Sequence, residues 1–256
     1  MKNIETIYLE GADCVGKNTV GKQIYANRQI ARVGNLYLFP DINPWNADRT
    51  GDVPSGHPLY PAYLIKSIIW DVVHFDSGDS HLQISFTGIR SAAWQMAADY
   101  PLRSFFYELL DYCPIFNHAF LLTASVDARM ERLQSREAKD PESVSEIDKK
   151  ITTDREFVER MDKIITDISR LKMGVIVIDT SNITPTQVSD QITNYIEGRI
   201  SRVDSSDSRR YQKEIRDEIE RFDKELAIYI VLTARQFNLS ESDVEMISRP
   251  ILSSKQ

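Results

Sequence analysis

Residues 4–19 of the chain read IETIYLEGADCVGKNT, and this stretch decides the fold. Its first six residues are mostly apolar or β-branched, which is typical of a buried β-strand. The residues from Gly11 to Lys17 then match the pattern G-x-x-x-x-G-K. From Lys17 to about Arg32 the apolar residues recur at helical spacing. A strand, a glycine-containing loop and a helix in this order predict a loop that binds phosphate groups at a helix N-terminus.

The chemistry of such a loop predicts ATP and Mg²⁺ as cofactors. Lys17 is expected to bridge the β- and γ-phosphates, and the next residue normally holds Mg²⁺ through a hydroxyl group. Here Asn18 occupies that position and the hydroxyl follows at Thr19, so Asn18 is the predicted metal ligand through its amide oxygen. The residues predicted to bind the nucleotide are Gly11, Cys14, Val15, Gly16, Lys17, Asn18 and Thr19. A chance match, or a loop that binds without catalysis, are the alternatives.

The rest of the chain alternates between strand and helix patterns up to about residue 198. Strands are predicted at 35–39, 81–86, 119–124 and 175–179, and helices at 62–75, 90–99, 102–110, 127–136, 154–171 and 184–198. Residues 41–61 form a long proline-rich loop, and residues 137–150 are charged and loop-like. This alternation predicts an α/β fold of three layers, with a parallel sheet flanked by helices.

The character of the sequence changes beyond residue 199. The polar segment SRVDSSDSRR, residues 201–210, leads to a charged helix with apolar residues three and four apart. These residues are Ile215, Ile219, Phe222, Leu226, Tyr229 or Ile230, and Thr233. The pattern predicts either packing against the main domain or formation of a homodimer. We therefore divide the chain into a nucleotide-binding domain, 1–199, and a C-terminal helical extension, 200–256.

Composition excludes several classes of protein. The chain has 256 residues and a net charge of −7, which argues against a broad nucleic-acid-binding surface. No apolar run approaches the roughly 20 residues that a membrane-spanning helix needs. The first residues lack the apolar core of a signal peptide, and Cys14 and Cys113 are the only cysteines. We therefore expect a cytoplasmic protein with two free thiols.

Residues 9–19, LEGADCVGKNT, resemble the phosphate loop of thymidylate kinases, L/F-E-G-x-D-x-x-G-K-S/T-T. Phe39-Pro40-Asp41 resembles the F-P-E/D-R-S/T motif of that family, and residues 117–136 resemble the strand and helix that enter its mobile lid. Residues 154–157 and 177–181 are similar to the end of the lid and the last strand. The likeness spans about residues 3–198, and it identifies the chain as a divergent member of the P-loop nucleoside monophosphate kinases.

The resemblance implies an activity and the residues that carry it. The expected reaction is Mg²⁺-dependent transfer of the γ-phosphoryl group of ATP to a pyrimidine deoxynucleoside monophosphate, similar to dTMP. The catalytic residues would be Lys17, Asp13, Arg132 and Arg136, with the two arginines closing over the transferred group. The acceptor-binding residues would be Asp13, Phe39, Arg49, Trp70, Arg90, Trp94 and Gln95. There are two alternatives. The two arginines could lie on a solvated helix face, and the aromatic residues could pack in the core.

The chain also departs from the family pattern on the acceptor side. The family's D-R-Y motif corresponds here to residues 85–87, Ser-Phe-Thr, and Arg90 lies one helical turn further on. Arg49 fits the family only with an insertion of about seven residues, and the Arg-Trp pair of the base-binding helix is Ile69-Trp70. Two alternatives therefore stay open. One is a deoxynucleoside kinase, and the other is a non-catalytic nucleotide-binding protein whose C-terminal helix engages a partner.

Overall fold

The computed structural model describes residues 5–28, 30, 32–34, 57–62, 65, 80–98, 110–112, 116–141, 144, 146–198, 226–241 and 244. Within them, five strands form one sheet: β1 Thr6–Glu10, β2 Arg32–Gly34, β3 His81–Ile84, β4 His118–Thr123 and β5 Ile176–Asp179. The strands lie in the order β2-β3-β1-β4-β5, and every described pairing is parallel. The carboxyl ends of β3, β1, β4 and β5 therefore meet at one edge of the sheet.

Between residues 17 and 197, six α-helices with fully described backbone accompany the sheet. They are α1 Lys17–Asn27, α2 Thr87–Ala97, α3 Val126–Lys139, α4 Glu146–Thr153, α5 Arg155–Met173 and α6 Pro185–Glu197, with a 3-10 turn at Leu110–Tyr112. Helix α1 packs against α6, and α2 packs against α5. Parallel strands require crossover connections, which cover both faces of the sheet with helices. The predicted three-layer α/β fold is confirmed.

The core follows from the apolar strands and the inward faces of these helices. Ile7, Tyr8 and Leu9 of β1 are fully buried, as is Phe120 of β4. The helices contribute Ile24, Ala93, Ile165 and Ile192 to the same cluster. The central strand β1 is buried on both faces, so its end carries the phosphate loop on the most rigid part of the sheet.

Two sequence predictions about element bounds need correction. The helix that begins at Lys17 ends at Asn27, short of its predicted end near Arg32, and strand β2 lies at Arg32–Gly34, just before the strand predicted at 35–39. At Arg32 the parallel pairing of β2 with β3 overrides the helical spacing. Residues 137–150 are not a loop throughout, because α3 continues to Lys139 and α4 begins at Glu146. The predicted strand at 35–39, the predicted helix at 102–110 except Leu110, most of 62–75, and Ile215, Ile219 and Phe222 lie outside the described residues.

A second, smaller core lies between α3, α4 and α5. Val126, Leu133, Val144, Ile151 and Val158 form this cluster, and Cys14 of the phosphate loop packs against it together with Met130. The three helices therefore form a unit with its own apolar contacts. The phosphate loop lies at its margin, which places α4 and α5 next to the predicted site.

The C-terminal segment packs on the main core. Residues 226–237 are helical, and Leu226 and Ile230 are 4% and 1% exposed within the main cluster. Thr233, one turn further on, is also buried. Of the two interpretations of this pattern, packing against the main domain is therefore the one that the described residues support. Among the described helices, none is both long and apolar enough to cross a bilayer.

Candidate functional site

The phosphate loop connects β1 to α1 and has the backbone geometry that its glycines allow. Gly11 has φ 147°, and a Cβ atom there would lie 2.2 Å from the carbonyl oxygen of Leu122 on β4. Gly16, with φ 99°, is the N-cap of α1. Both backbone angles lie in the region that favours glycine. The predicted sequence of strand, loop and helix is confirmed, and the loop ends at a helix N-terminus.

Five consecutive carbonyl groups of this loop accept hydrogen bonds from side chains. Lys17 Nζ donates to Gly11 O and, at 2.6 Å, to Ala12 O. The next three donors come from outside the loop: Arg129 Nε donates to Asp13 O at 2.7 Å, Arg132 Nη1 to Cys14 O at 3.2 Å and Thr180 Oγ1 to Val15 O at 2.9 Å.

These bonds orient the loop as well as holding it. The carbonyl of one residue and the N–H of the next point in opposite directions across a trans peptide bond. With the carbonyls of residues 13–15 turned toward α3 and Thr180, the N–H groups of residues 14–16 point away from them. Successive N–H groups that face one way at a helix N-terminus are the donors that a phosphate group requires.

Lys17 is a buried cation in this loop. It is 7% exposed, and burial together with the charge of Arg90 lowers its pKa to about 8, although Asp13 and Glu10 act in the opposite direction. The ammonium group is therefore largely charged at neutral pH but has lost most of its water. A phosphate anion beside the ammonium group would favour its charged form further.

Asp13 faces three cations. Arg90 Nη2 on α2 donates to Asp13 Oδ1 at 2.5 Å. Burial raises the pKa of Asp13, but the charges of Arg90, Lys17 and Arg129 outweigh it, so the net pKa is below the ordinary value. Asp13 is therefore ionised at neutral pH, and Arg90, predicted to lie near the acceptor, does lie beside the phosphate loop.

Glu10 ties the start of the phosphate loop to the end of β3. Its side chain is fully buried and accepts four hydrogen bonds. The donors are Tyr8 Oη at 2.5 Å, Gly11 N at 2.9 Å, Phe86 N at 3.0 Å and Ser85 Oγ at 3.3 Å. Ser85 has φ 60°, so the chain turns sharply where β3 ends. No role for Glu10 was predicted, although it belongs to the L-E-G motif.

A pocket opens beside Asp13, between α2, α4 and α5. Trp94 and Phe157 form two of its walls, with ring centroids 4.8 Å apart and planes at 70°. Lys150 Nζ lies 5.4 Å from the Trp94 ring centroid and 4.6 Å from that of Phe157. Its other lining residues are Ala12, Asp13, Arg129, Ile151, Val158, Met161 and Asp162. The pocket thus joins aromatic surface to cations directly next to the loop.

Asp162 on α5 is a carboxylate of this pocket that was not predicted. It pairs with Arg129, and its Oδ1 is buried without a hydrogen-bond partner among the described residues. Burial raises its pKa, and the charge of Arg129 opposes that effect.

Apart from Arg132 and Arg136, the predicted site residues fall into three groups. The loop residues, Asp13, Arg90 and Trp94 lie together around the loop and the pocket. Gln95 is 2% exposed but does not line this pocket, and its Oε1 has no hydrogen-bond partner among the described residues. Phe39, Arg49 and Trp70 lie outside the described residues.

Of the two arginines predicted to close over the transferred group, Arg132 bonds the backbone of the phosphate loop and Arg136 pairs with a carboxylate of α4. Arg132 Nη1 donates to Cys14 O and, at 3.1 Å, to Thr180 Oγ1, and its Nη2 donates to the carbonyl oxygen of Thr180. Arg136 lies 2.7 Å from Asp148 of α4. Neither lines the pocket beside Asp13. Their predicted catalytic role stays a prediction.

The donor chemistry at the start of α1 fits Mg²⁺. Asn18 and Thr19 are exposed on the first turn, and their amide and hydroxyl oxygens are hard ligands. The described residues contain no cluster of three or more His, Cys, Asp or Glu side chains that could hold a metal by itself.

No protein-family model matches this chain, and no curated protein matches its sequence. Solved structures do match it. A deoxyadenosine kinase from M. mycoides superposes with a TM-score of 0.52 at 13% identity, over 75% of this chain and 98% of that one. Thymidylate kinases from Candida albicans and Ehrlichia chaffeensis each superpose with a TM-score of 0.50 at 14% identity. They cover 77% and 76% of this chain, and 92% and 99% of their own. The chain therefore has the P-loop kinase fold.

Proposed function

We propose that the protein transfers the γ-phosphoryl group of ATP to a nucleoside monophosphate, with a pyrimidine deoxynucleotide similar to dTMP as acceptor. The observation that carries the proposal is the position of the pocket. It opens beside Asp13 of the phosphate loop with Lys150 on its wall, while Arg90 pairs with Asp13 at its margin. The cavity is about 10 Å³, the size of one water molecule, so the acceptor would bind at its mouth, where Trp94 suits a base and Lys150 and Arg90 suit a phosphate group.

Two carboxylates of the site, Glu10 and Asp13, favour a phosphate acceptor over a hydroxyl acceptor. A phosphomonoester carries an ionised oxygen at neutral pH, because its second pKa is about 6. A nucleoside hydroxyl needs a general base instead. Glu10 has both oxygens occupied by donors, and Asp13 is ion-paired with a lowered pKa, which makes it a weak base.

The residues of this chain would act mainly by positioning and charge. Lys17 and the loop N–H groups would bind the transferred phosphoryl group and offset its charge as it moves. Arg90 would release the carboxylate of Asp13 and pair with the acceptor phosphate instead. Helix α4, over the pocket, would exclude water. Mg²⁺ held near Asn18 and Thr19 would neutralise charge on the phosphates.

A deoxynucleoside kinase is the second candidate, and Asp162 favours it. Its Oδ1 is buried in the pocket without a hydrogen-bond partner among the described residues, and burial raises its pKa. Both properties suit a base that would accept the proton of a 5′-hydroxyl. The deoxyadenosine kinase among the structural neighbours bears the name of that activity.

The deciding experiment measures ADP release from ATP and Mg²⁺ against a panel of nucleosides and nucleoside monophosphates. Turnover restricted to dTMP or a related pyrimidine monophosphate supports the proposal. Turnover with nucleosides alone assigns the protein to the second candidate. Absence of turnover with ATP binding intact contradicts both kinase functions and leaves the non-catalytic nucleotide-binding protein.

Replacement of Lys17 gives the matching loss-of-function prediction. Lys17→Ala should lower kcat at least about 100-fold, since it removes a cation aimed at the developing charge. The fold should persist, because burial of this ammonium group disfavours its charged form. Lys22→Ala, on the exposed side of the same helix, is the control and should keep full activity. Turnover that survives Lys17→Ala would contradict the assignment of the loop.

A further inference from the structure

Arg129 on α3 connects two parts of the site that are far apart in sequence. Its side chain is 3% exposed. Nε donates to the carbonyl oxygen of Asp13 in the phosphate loop at 2.7 Å, and Nη1 pairs with the carboxylate of Asp162 on α5. A guanidinium group presents donors in fixed, diverging directions, so one side chain can satisfy both partners at once.

The burial of this cation makes the two contacts interdependent. A buried charge is costly unless it is paired and hydrogen-bonded. Arg129 meets that condition only while the loop carbonyl and the α5 carboxylate both keep their places. A shift of α5 would therefore disturb the loop at Asp13, and a shift of the loop would disturb α5.

Helix α5 also forms a wall of the pocket beside Asp13, which is called the acceptor pocket below because the proposed acceptor binds there. Phe157, Val158 and Met161 line that pocket, and Asp162 follows directly after them. The Arg129–Asp162 pair thus joins the wall of the acceptor pocket to the backbone of the loop that receives the ATP phosphates. Arg132 and Thr180 hold the next two carbonyls but do not line the pocket.

We propose that Arg129, held by Asp162, is a positioning residue that aligns the phosphate loop with the acceptor pocket for phosphoryl transfer. The proposal rests on the proposed kinase function. Arg129 acts through the carbonyl group of Asp13, and its removal lets the loop move relative to α5. Since a misplacement of about 1 Å can cost roughly 100-fold in rate, the effect should appear in kcat more than in acceptor binding.

The test compares Arg129→Met, Arg129→Lys, Asp162→Asn and the double variant Arg129→Met/Asp162→Asn. We expect Arg129→Met to lower kcat by about 10- to 100-fold while the acceptor KM changes less than about threefold. Lysine keeps the charge and one donor direction, so Arg129→Lys should recover part of the loss. The double variant should be no slower than Arg129→Met, because both changes break one connection.

Arg160→Met is the matched control on α5. Arg160 Nη1 donates to the carbonyl oxygen of Ala97 at 3.1 Å and also bonds Glu156, so it too joins a backbone carbonyl to a carboxylate. It contacts neither the loop nor the pocket, and kcat should be unchanged. A loss of kcat as large as that of Arg129→Met would show a general effect of losing an arginine, and would overturn the proposal.

Amide hydrogen exchange of residues 12–17 tests the positioning without requiring turnover. Arg129→Met should speed exchange in the loop about tenfold, while the amides of the middle turns of α1 should exchange as in the unchanged protein. Unchanged loop exchange would overturn the positioning role, whatever the activity. If the unchanged protein shows no turnover but Arg129→Met speeds exchange in its loop, the proposed kinase function is contradicted while the role of Arg129 in holding the loop is supported. If Arg129→Met does not fold, loop exchange is compared between Arg129→Lys and the unchanged protein instead.

Discussion

Single backbone angles decide whether the phosphate loop can form. Gly11 has φ 147° and lies against β4, while Gly16 has φ 99° with no atom close to its missing Cβ. Cys14 has φ 62° although it is not glycine. A non-glycine residue at a positive φ costs free energy of order 1 kcal/mol, and side chains from α3 and the end of β5 compensate by holding the loop. The loop is therefore a strained segment maintained by its surroundings.

Gly11→Ala should destabilise the protein more than an alanine at another glycine of positive φ. At Gly11 the new Cβ would meet the carbonyl oxygen of Leu122 at 2.2 Å, whereas at Gly174, with φ 58°, nothing lies within 4 Å. We expect Gly174→Ala to cost about 1 kcal/mol in the free energy of unfolding, and Gly11→Ala at least about 2 kcal/mol. Urea unfolding of both variants measures the difference. Equal losses would contradict the close approach of the loop to β4.

The ion pair of Asp13 predicts how the free energy of unfolding depends on pH. Its pKa in the folded protein lies below the ordinary value of 3.8, since burial, which raises it, is outweighed by Arg90, Lys17 and Arg129. Below pH 3.8 the unfolded chain therefore binds the proton more readily, and the stabilisation is lost as pH falls through the folded pKa. Asp13→Asn should lose less free energy of unfolding between pH 6 and pH 3 than the unchanged protein. An identical acid dependence of the two would contradict the depressed pKa.

At the scale of elements, side-chain caps define where the helices of the second half begin. Ser125, Asp154 and Thr184 each accept a hydrogen bond from the backbone of the first turn of α3, α5 and α6. Helix α6 adds a full capping box with Gln187 and a proline at its first turn. These residues satisfy N–H groups that a helix leaves unpaired at its start. They explain why these helix starts were predicted to within one or two residues.

Thr184→Ala should lower the free energy of unfolding by about 1 kcal/mol. The change removes the acceptor for the Gln187 N–H and the hydroxyl donor to Gln187 Oε1, while the reciprocal bond from the Thr184 N–H to Gln187 Oε1 is kept. Thr152→Ala is the control, because Thr152 is exposed in α4 and its hydroxyl bonds only to the carbonyl of Lys149 within the same helix. That variant should change stability by less than about 0.5 kcal/mol. Thermal or chemical unfolding distinguishes the two, and equal losses would contradict the capping box.

At the scale of the whole molecule, the C-terminal helical segment belongs to the main core in its described part. Leu226, Ile230 and Thr233 are buried at a spacing of four and three residues. Ile228 and Leu232 of the same segment are 62% and 59% exposed. The segment therefore has a buried face toward the domain and an apolar face toward solvent. The homodimer remains a prediction, and within residues 226–237 the second face is the one exposed for it.

Ile230→Asp should unfold or strongly destabilise the protein, by at least about 3 kcal/mol, because it buries an unpaired charge. Ile228→Asp on the opposite face should leave the stability of the monomer within about 0.5 kcal/mol. Unfolding measurements check the first expectation, and sedimentation equilibrium of Ile228→Asp tests the dimer. A normal unfolding curve for Ile230→Asp would contradict the packing of this segment on the core.

Local patterns in the sequence were enough to predict the central part of the fold. The strand of residues 6–10, the loop and α1 follow from short-range features: an apolar run, glycines at fixed spacing and helical periodicity. The same holds for β4, β5, α5 and α6. The bounds near β2 and the helix α4 were missed, because pairing with β3 and packing in the small α3–α5 core decide them. Such contacts override local propensity.

The candidate site also contains residues that a local motif predicts and residues that only the fold brings together. Lys17, Asp13 and the loop glycines are adjacent in sequence, so a motif reveals them. Arg129, Thr180 and Asp162 act on the loop or its pocket from 116, 165 and more than 140 residues away, and no spacing rule connects residues at such distances. The sequence alone was sufficient for a glycine-containing loop between a buried strand and a helix, because all three depend on neighbouring residues. Only the packing of α3, α5 and the end of β5 around that loop decides which side chains hold it, since a buried carbonyl takes its donor from whichever element the fold brings near.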